Sequence, residues 1–277
     1  MSRIVMKFGG TSVGSVERVN HVAKIVRSEV ESKNQVVVVL SAMAGETDRL
    51  INLTKELSKD FPNSEYDVVI SSGEQVSVGA LSGLLNSSGI KSQSLLGWQV
   101  PILTNSDHKS ARIEAISSEV ILKLFDENNV VIIPGFQGIS ADGRITTLGR
   151  GGSDTSAVAI AAAIDADFCD IYTDVDGVYT TDPNKVPNAK RLDKISYEEM
   201  LEMASLGAKV LQTRSVETAM NNDVVLRVLS SFSDIGKKKK GTLVCSEERI
   251  SDKKIVTGVA ASINDAKLTL TGIKDKP

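Results

Sequence analysis

The hydrophobic positions along the chain alternate between two kinds of pattern. Short runs rich in β-branched residues, "RIVMKF", "QVVVVLSA", "NVVIIPGF" and "FCDIYTD", are almost continuously apolar. Such runs are typical of parallel strands that are buried on both faces. Between them lie longer segments that predict helices, over 16–32, 113–126 and 197–221, the first of them with apolar residues at the three- to four-residue spacing of an amphipathic helix. The alternation predicts an α/β fold, a three-layer αβα sandwich around a mostly parallel sheet.

The pattern changes after residue 240. The segments "GTLVC", "KIVTGVAA" and "AKLTLTGI" indicate short strands with no helices between them. Because a lone strand pair is not stable by itself, we interpret the end of the chain as part of a second domain. The expected organisation is one large domain over 1–245 and a truncated β fragment over 246–277.

Composition and charge narrow the functional class. The chain has 277 residues and a formal net charge of −3, which argues against a nucleic-acid surface. The sequence has no segment resembling a signal peptide and no run of 18 uninterrupted apolar residues, so no association with a membrane is expected. Two cysteines, Cys169 and Cys245, are too few for a disulfide framework. These features predict a cytoplasmic protein. The two histidines, His21 and His108, lack the spacing of metal ligands, and both are expected at the surface.

The loop "KFGGTSVGS" follows the first predicted strand, at the strand end where such sheets bind ligands. Its glycines have the spacing of a P-loop, but Ser15 and Val16 stand where Lys and Ser/Thr are required, so that motif is excluded. Glycines still allow backbone N–H groups to approach a phosphate. We therefore expect a phosphate site here, with Lys7 reaching over the loop.

Two further loops carry isolated polar groups. Glu74 lies in the small, apolar run "ISSGEQVSVGALSG", where a charge needs a partner unless it faces solvent. A bound ammonium group and a solvated stripe are both open interpretations. In "LSAMAGETDRL", Thr47 either caps a helix or contacts a ligand.

The segment "TTLGRGGSDTSAVAIAAAIDAD" places Arg150 among glycines at the start of a predicted helix. A guanidinium in such an open loop can form a fork with a carboxylate. Asp154 is electrostatically favoured at the helix start, so it is either only a cap or also part of a site. The segment predicts a binding site for a small anion.

Five motifs taken in order resemble the aspartate kinases of the amino-acid kinase family. They are "KFGGTSV" at 7–13, "SAMAGETD" at 41–48, "SGE" at 72–74, "GRGGSDT" at 149–155 and "YTDVDGVYTTDP" at 172–183. The resemblance implies phosphorylation of the side-chain carboxylate of L-aspartate by ATP and Mg²⁺, the entry step to lysine, threonine and methionine. The end of the chain resembles the opening of an ACT regulatory region. We also expect a homo-oligomer, a dimer, although no motif specifies it.

The resemblance assigns roles to residues at the matching positions. Lys7 and Asp154 are implied as catalytic, with Asp154 ordering the lysines that bind phosphate. The implied aspartate site comprises Thr47, Glu74 for the α-ammonium, Arg150 for a carboxylate, and Gly151, Gly152 and Ser153. The implied ATP site comprises Lys7, Phe8, Gly9, Gly10, Ser41, Thr173, Asp174, Tyr179, Asn184, Lys185, Lys209 and Val210.

Three points complete this assignment. The family commonly has arginine after "TTDP", whereas Asn184 and Lys185 follow here, so Lys185 is expected to act as a point charge. No protein ligand to the metal is expected, because Mg²⁺ would be held mainly through the ATP phosphates. An acceptor carboxylate is already ionised at neutral pH, so no general base is required.

Two other functions stay open from the sequence. One is a different amino-acid kinase that phosphorylates another carboxylate. The other is a sensor of amino acids or nucleotides that has kept the pocket without turnover.

Overall fold

The computed structural model of the chain describes residues 1–208, 210–233, 241–250 and 256–261. In these ranges the strands are β1 Arg3–Phe8, β2 Gln35–Leu40, β3 Ser92–Ser94, β4 Ile102–Thr104, β5 Ile113–Ile116, β6 Val130–Pro134, β7 Gln137–Ser140, β8 Ile145–Thr147, β9 Phe168–Thr173, β10 Lys194–Ser196, β11 Leu226–Ser230 and β12 Gly241–Cys245. The α-helices are α1 Val16–Glu31, α2 Glu46–Leu57, α3 Asn63–Ile70, α4 Ser72–Ser87, α5 Glu119–Asp126, α6 Gly152–Ala163, α7 Tyr197–Ser205 and α8 Thr213–Asn221.

The main sheet has eight strands in the order β10-β12-β11-β9-β1-β2-β6-β3. From β11 to β3 each neighbouring pair is parallel, and β12 runs antiparallel to β11. The apolar runs recognised in the sequence form β1, β2, β6 and β9, which lie side by side at the centre. The prediction of a mostly parallel sheet is confirmed.

Alternate residues of the central strands enter two separate cores. Val5, Val37 and Val131 pack on the side of α5 and α6, whereas Met6 and Val38 pack on the side of α1 and α4. Since every second side chain of a strand points to the same face, continuous apolar runs are needed to fill both cores. The result is the predicted αβα sandwich, with helices on both faces of the sheet.

A second, four-stranded sheet in the order β5-β4-β7-β8 was not predicted from the sequence. The helix expected over 113–126 begins only at Glu119, because 113–116 forms strand β5. The helix expected over 197–221 is two helices, α7 and α8. Strand β8 of the smaller sheet leads directly into the loop that carries Arg150, one of the residues selected from the sequence.

The stretch Asn63–Ser87 has the length and hydropathy of a membrane-spanning helix, and half of its most apolar 18-residue segment is buried inside the protein. It is divided at Ser71 into α3 and α4, and Leu81 and Leu85 of α4 belong to the core. We therefore assign this stretch to the core of the domain.

The predicted division of the chain falls immediately after β12, which ends at Cys245. Of the proposed second part, 246–277, the structure describes only 246–250 and 256–261. The boundary and the β fragment stay predictions.

Candidate active site

The carboxyl ends of β9, β1, β2 and β6 lie at one edge of the sheet, because these four strands are neighbours and parallel. The strand ends and the loops that leave them contain residues selected from the sequence, among them Lys7, Ser41 and Asp174. Open α/β sheets bind their ligands at this edge. The topology therefore brings the "KFGG", "SAMAGETD" and "YTDVDG" motifs together.

Lys7 and Asp154 form an ion pair at the centre of this edge. The Nζ of Lys7, near the end of β1, lies 2.6 Å from Oδ1 of Asp154, in the first turn of α6. Their side chains are only 12% and 10% exposed. The N-terminal cap of α6 is Gly151, so the interpretation of Asp154 as only a cap is wrong. Two residues 147 positions apart are instead paired and largely desolvated.

Gly10 allows the first loop to approach the second. A Cβ at Gly10 would lie 2.8 Å from the carbonyl oxygen of Ala42, which is closer than side chains allow. Phe8, predicted to contact ATP, has a fully buried side chain that stacks on Tyr172 with ring centroids 4.5 Å apart. Its side chain is therefore unavailable to a ligand, and only its backbone lies at the site.

Glu74 is the second buried charge of the site. It is 3% exposed, and its Oε1 accepts a hydrogen bond of 3.2 Å from the backbone N–H of Ala42. Its Oε2 is buried and has no hydrogen-bond partner among the described residues. Burial raises the pKa of Glu74 to about 7, against the lowering effect of backbone hydrogen bonds. The solvated-stripe interpretation is wrong because the carboxyl is buried. A bound ammonium group at the oxygen that has no partner stays a prediction.

The loop that carries Arg150 depends on glycines for its conformation. Gly151 has φ of +74° at the start of α6, and a Cβ there would lie 2.1 Å from Cγ of Gln212. Only glycine satisfies both conditions. Arg150 is exposed, and its guanidinium has no hydrogen-bond or ionic partner within the described ranges. It is free to form a fork with an incoming carboxylate.

The remaining predicted substrate residues lie near these groups in the chain. Helix α2 is capped by Gly45, so Thr47 lies in its first turn and is not the cap. Ser41 and Thr47 are both partly exposed. Gly152 is buried and Ser153 partly exposed at the start of α6. A Cβ at Gly135, which follows β6, would lie 2.7 Å from Cβ of Ser153. This contact holds the start of α6 against the edge of the sheet.

A cavity of about 540 Å³ opens beside the end of β9. Six of the residues predicted to hold ATP line it: Thr173, Asp174, Tyr179, Asn184, Lys185 and Val210. Lys209, also predicted at ATP, lies outside the described residues. The volume is in the range of pockets that bind small ligands and cofactors.

Sequence reasoning missed part of this cavity. Met203, Gly207 and Ala208 contribute from the end of α7, and Val259, Ala260 and Ala261 from the last described segment. The backbone N–H of Val259 donates a 2.7 Å hydrogen bond to the carbonyl of Thr180. No polar motif marks these residues in the sequence, because they contribute backbone and apolar surface.

The described residues contain no group of three or more His, Cys, Asp or Glu side chains that could hold a metal ion. The hydrogen-bond donors at this edge of the sheet are instead cationic side chains and backbone N–H groups, which suit phosphate oxygens. That Mg²⁺ is held mainly through ATP phosphates stays a prediction.

Comparison with known proteins assigns the chain to a family. The model described as "Amino acid kinase family" matches residues 2–230. The aspartate kinase of Pseudomonas putida is 53% identical over 278 residues, covering 100% of this chain and 67% of that protein.

Solved structures of aspartate kinases are similar to this chain in both sequence and fold. Aspartate kinase from Synechocystis has 47% identity and a TM-score of 0.77, covering 88% of this chain and 40% of the other. The structure of E. coli aspartokinase III in complex with aspartate and ADP has 32% identity and a TM-score of 0.75, covering 88% of this chain and 64% of the other. The present chain thus spans about two thirds of the Pseudomonas protein and less of the Synechocystis chain. It belongs to the amino acid kinase family, among the aspartate kinases.

Proposed function

We propose that this chain is an ATP-dependent aspartate kinase, which transfers the γ-phosphate of ATP to the side-chain carboxylate of L-aspartate and gives 4-phospho-L-aspartate. The observation that carries the proposal is the Lys7–Asp154 ion pair. Strand β1, which carries Lys7, lies between β9, beside the cavity, and β2, which is followed by the Ala42 that contacts Glu74. The E. coli relative that binds aspartate and ADP supports it.

On the donor side, the cavity lined by Thr173, Asp174 and Tyr179 takes the nucleotide. The triphosphate extends from there toward the next strand, β1, where the backbone of Gly9 and Gly10 and the Nζ of Lys7 receive the transferring group. Asp154 holds Lys7 in place at 2.6 Å. Lys185, at the rim of the cavity, supplies a further point charge.

On the acceptor side, Glu74 takes the α-ammonium of aspartate through its free Oε2, and Arg150 grips a carboxylate. A carboxylate oxygen attacks the γ-phosphorus, the bond from that phosphorus to the bridging oxygen of ADP breaks, and ADP leaves with the electron pair. The attacking oxygen is ionised at neutral pH, so no protein group has to remove a proton. Catalysis then depends on alignment and on neutralising charge.

Mg²⁺ is proposed as a companion of ATP, bound by its phosphates, where it supplies charge neutralisation when present. Assembly as a homodimer is a further proposal, and sedimentation velocity tests it. A cytoplasmic location is a further proposal; the two cysteines, Cys169 and Cys245, are free and buried, as is common in proteins of a reducing compartment.

The decisive experiment incubates the chain with MgATP and L-aspartate and traps the acyl phosphate with hydroxylamine. Aspartyl hydroxamate is expected from the wild type, and it should fall at least 100-fold with Lys7→Ala. The same assay with L-glutamate and N-acetylglutamate tests the alternative amino-acid kinases. ADP formation without hydroxamate, or no turnover by a folded protein that binds ATP, would contradict the proposal and favour a sensor.

A further inference from the structure

Asp67, in α3, is a buried carboxylate outside the residues assigned above. It is 0% exposed. Its Oδ1 accepts a 2.6 Å hydrogen bond from the hydroxyl of Thr147, and its Oδ2 lies 2.7 Å from Nδ1 of His108. The backbone N–H of Lys109 lies 3.1 Å from both oxygens. His108 is therefore not free at the surface as expected, since its side chain is 18% exposed and paired.

These contacts hold the loop that carries Arg150. Thr147 is the last residue of β8, and Arg150 follows three positions later. Between them, Leu148 donates its N–H to the carbonyl of Phe136 at 2.9 Å and accepts a 3.0 Å bond from Arg214. A Cβ at Gly149 would lie 3.0 Å from the carbonyl of Lys109, so the two loops are in close contact.

The other end of α3 leads to Glu74. Asp67 precedes Glu74 by seven residues, and α3 and α4 are separated only by Ser71. The carbonyl of Ser71 accepts a 3.0 Å hydrogen bond from the side chain of Gln137. Asp67 therefore connects the helix pair that carries Glu74 with the loop that carries Arg150.

Energetics argue against packing alone as the reason for this carboxylate. Burying a charge has a large desolvation cost, and apolar residues of similar size commonly stabilise such positions as well or better. Helix α3 already has other contacts with the same region, since Tyr66 lies 4.5 Å beneath the ammonium of Lys109 and Glu65 pairs with Arg144. What the carboxylate adds is a fixed geometry, because it accepts from three donors at once.

We propose that Asp67 is a positioning residue for the amino-acid substrate, which sets the placement of Arg150 relative to Glu74 through its hydrogen bond to Thr147. This inference rests on the proposed function, because it assumes that Arg150 and Glu74 grip the same molecule. It assigns no contact between Asp67 and the substrate.

The test uses two neighbouring residues of β8. Thr147 and Thr146 are both fully buried, and each makes a buried hydroxyl hydrogen bond of 2.6 Å, to Asp67 and to Thr104 respectively. Thr147→Val removes the bond to Asp67, and Thr146→Val is the matched control for loss of a buried hydroxyl. Thr147→Ser keeps the hydroxyl and should restore wild-type behaviour.

Thr147→Val is expected to raise the KM for aspartate about tenfold, while the KM for ATP stays within about twofold of wild type. Thr146→Val should leave both KM values within about twofold of wild type, even if it lowers the melting temperature as much as Thr147→Val does. Asp67→Asn, which keeps one acceptor oxygen, should give a smaller rise than Asp67→Ala if both fold.

An active enzyme with unchanged aspartate KM in Thr147→Val would overturn the positioning role. So would equal increases in Thr146→Val and Thr147→Val, because both would then report only a loosened sheet. A wild type without aspartate turnover is a different result: it would overturn the proposed function itself, and the positioning role with it.

Discussion

At the scale of single residues, Glu74 combines burial with an unfinished set of hydrogen bonds. One of its oxygens is bound by the N–H of Ala42 and the other has no partner among the described residues. An ammonium group at that oxygen would offset the desolvation of the carboxylate and lower its pKa from about 7. Substrate binding is therefore expected to release a proton near neutral pH.

The raised pKa of Glu74 predicts a dependence of stability on pH. Below about 4.5, the ordinary pKa of the group, the carboxyl is protonated in both the folded and unfolded states and contributes nothing. As pH rises to about 7, the unfolded chain loses the proton while the fold retains it, so the folded state is progressively destabilised. Glu74→Gln should remove this loss, amounting to roughly 3 kcal/mol above neutral pH.

Denaturant unfolding of the wild type and Glu74→Gln at pH 4.5 and pH 8 measures this difference. The variant should gain stability relative to wild type at the higher pH, while its aspartate KM rises. A stability difference that does not change between the two pH values would show that Glu74 is ionised with an ordinary pKa.

Arg150 provides a prediction about specificity. Its guanidinium is exposed and has no partner within the described ranges, so its removal should leave folding intact. Arg150→Lys keeps the charge and loses the fork, so the aspartate KM should rise about tenfold or more and the ATP KM much less. Steady-state kinetics with each substrate varied in turn decide this. Equal effects on both KM values would place Arg150 in the nucleotide half of the site.

At the scale of elements, the end of β1 and the start of α6 are joined by the ion pair of Lys7 and Asp154. Lys7→Met leaves the carboxylate buried without its partner, which should destabilise the fold by roughly 3 kcal/mol. The double variant Lys7→Met/Asp154→Asn removes both charges and should recover much of that stability.

Activity should behave differently from stability in these variants. The loss of one group that neutralises the transferring phosphoryl should lower kcat by about 10²–10³, and the double variant should not recover it. Melting temperatures and single-turnover rates of the three proteins provide the comparison. Recovery of kcat along with stability would mean that Lys7 has only a structural role.

The sequence predicted those elements whose pattern is set by their own burial. The central strands were recognised because residues such as Val37 and Val38 must be apolar on both faces. Strands of the smaller sheet have three or four residues, and β5 contains an exposed Glu114, so no continuous apolar run marks them. A helix was therefore expected where β5 lies.

The residues of the candidate site also differ in how well the sequence predicts their surroundings. Glu74 stood out because a lone charge in an apolar run requires a partner, and its burial follows that reasoning. Asp67 carries the same signal in "YDVVI", but its partner Thr147 is 80 positions away. Such a pairing depends on how α3 packs against β8, which neither spacing nor composition specifies.

At the scale of the whole molecule, the cavity proposed to hold the nucleotide extends past the boundary drawn from the sequence at residue 245. Val259 forms part of its wall and donates its N–H to Thr180 on the opposite segment. Val259→Pro removes that donor and should raise the ATP KM several-fold without a comparable change in the aspartate KM. Nucleotide titration by calorimetry measures the effect directly, and unchanged affinity would exclude this segment from the site.

The order and spacing of the central strands also set the distances between the parts of the site, and therefore the length of substrate that fits. Neighbouring strands are about 4.8 Å apart, and the loops after β9, β1 and β2 succeed one another along the edge. On the proposed assignment, donor, phosphoryl group and acceptor lie along this line, fixed by backbone hydrogen bonds that side-chain changes hardly alter. Reaction requires the attacking oxygen to come within about 3–3.5 Å of phosphorus. Glutamate is longer than aspartate by one C–C bond of about 1.5 Å, so on the proposed assignment its side-chain carboxylate would miss the position set for aspartate, and its turnover in the hydroxamate assay should be much lower.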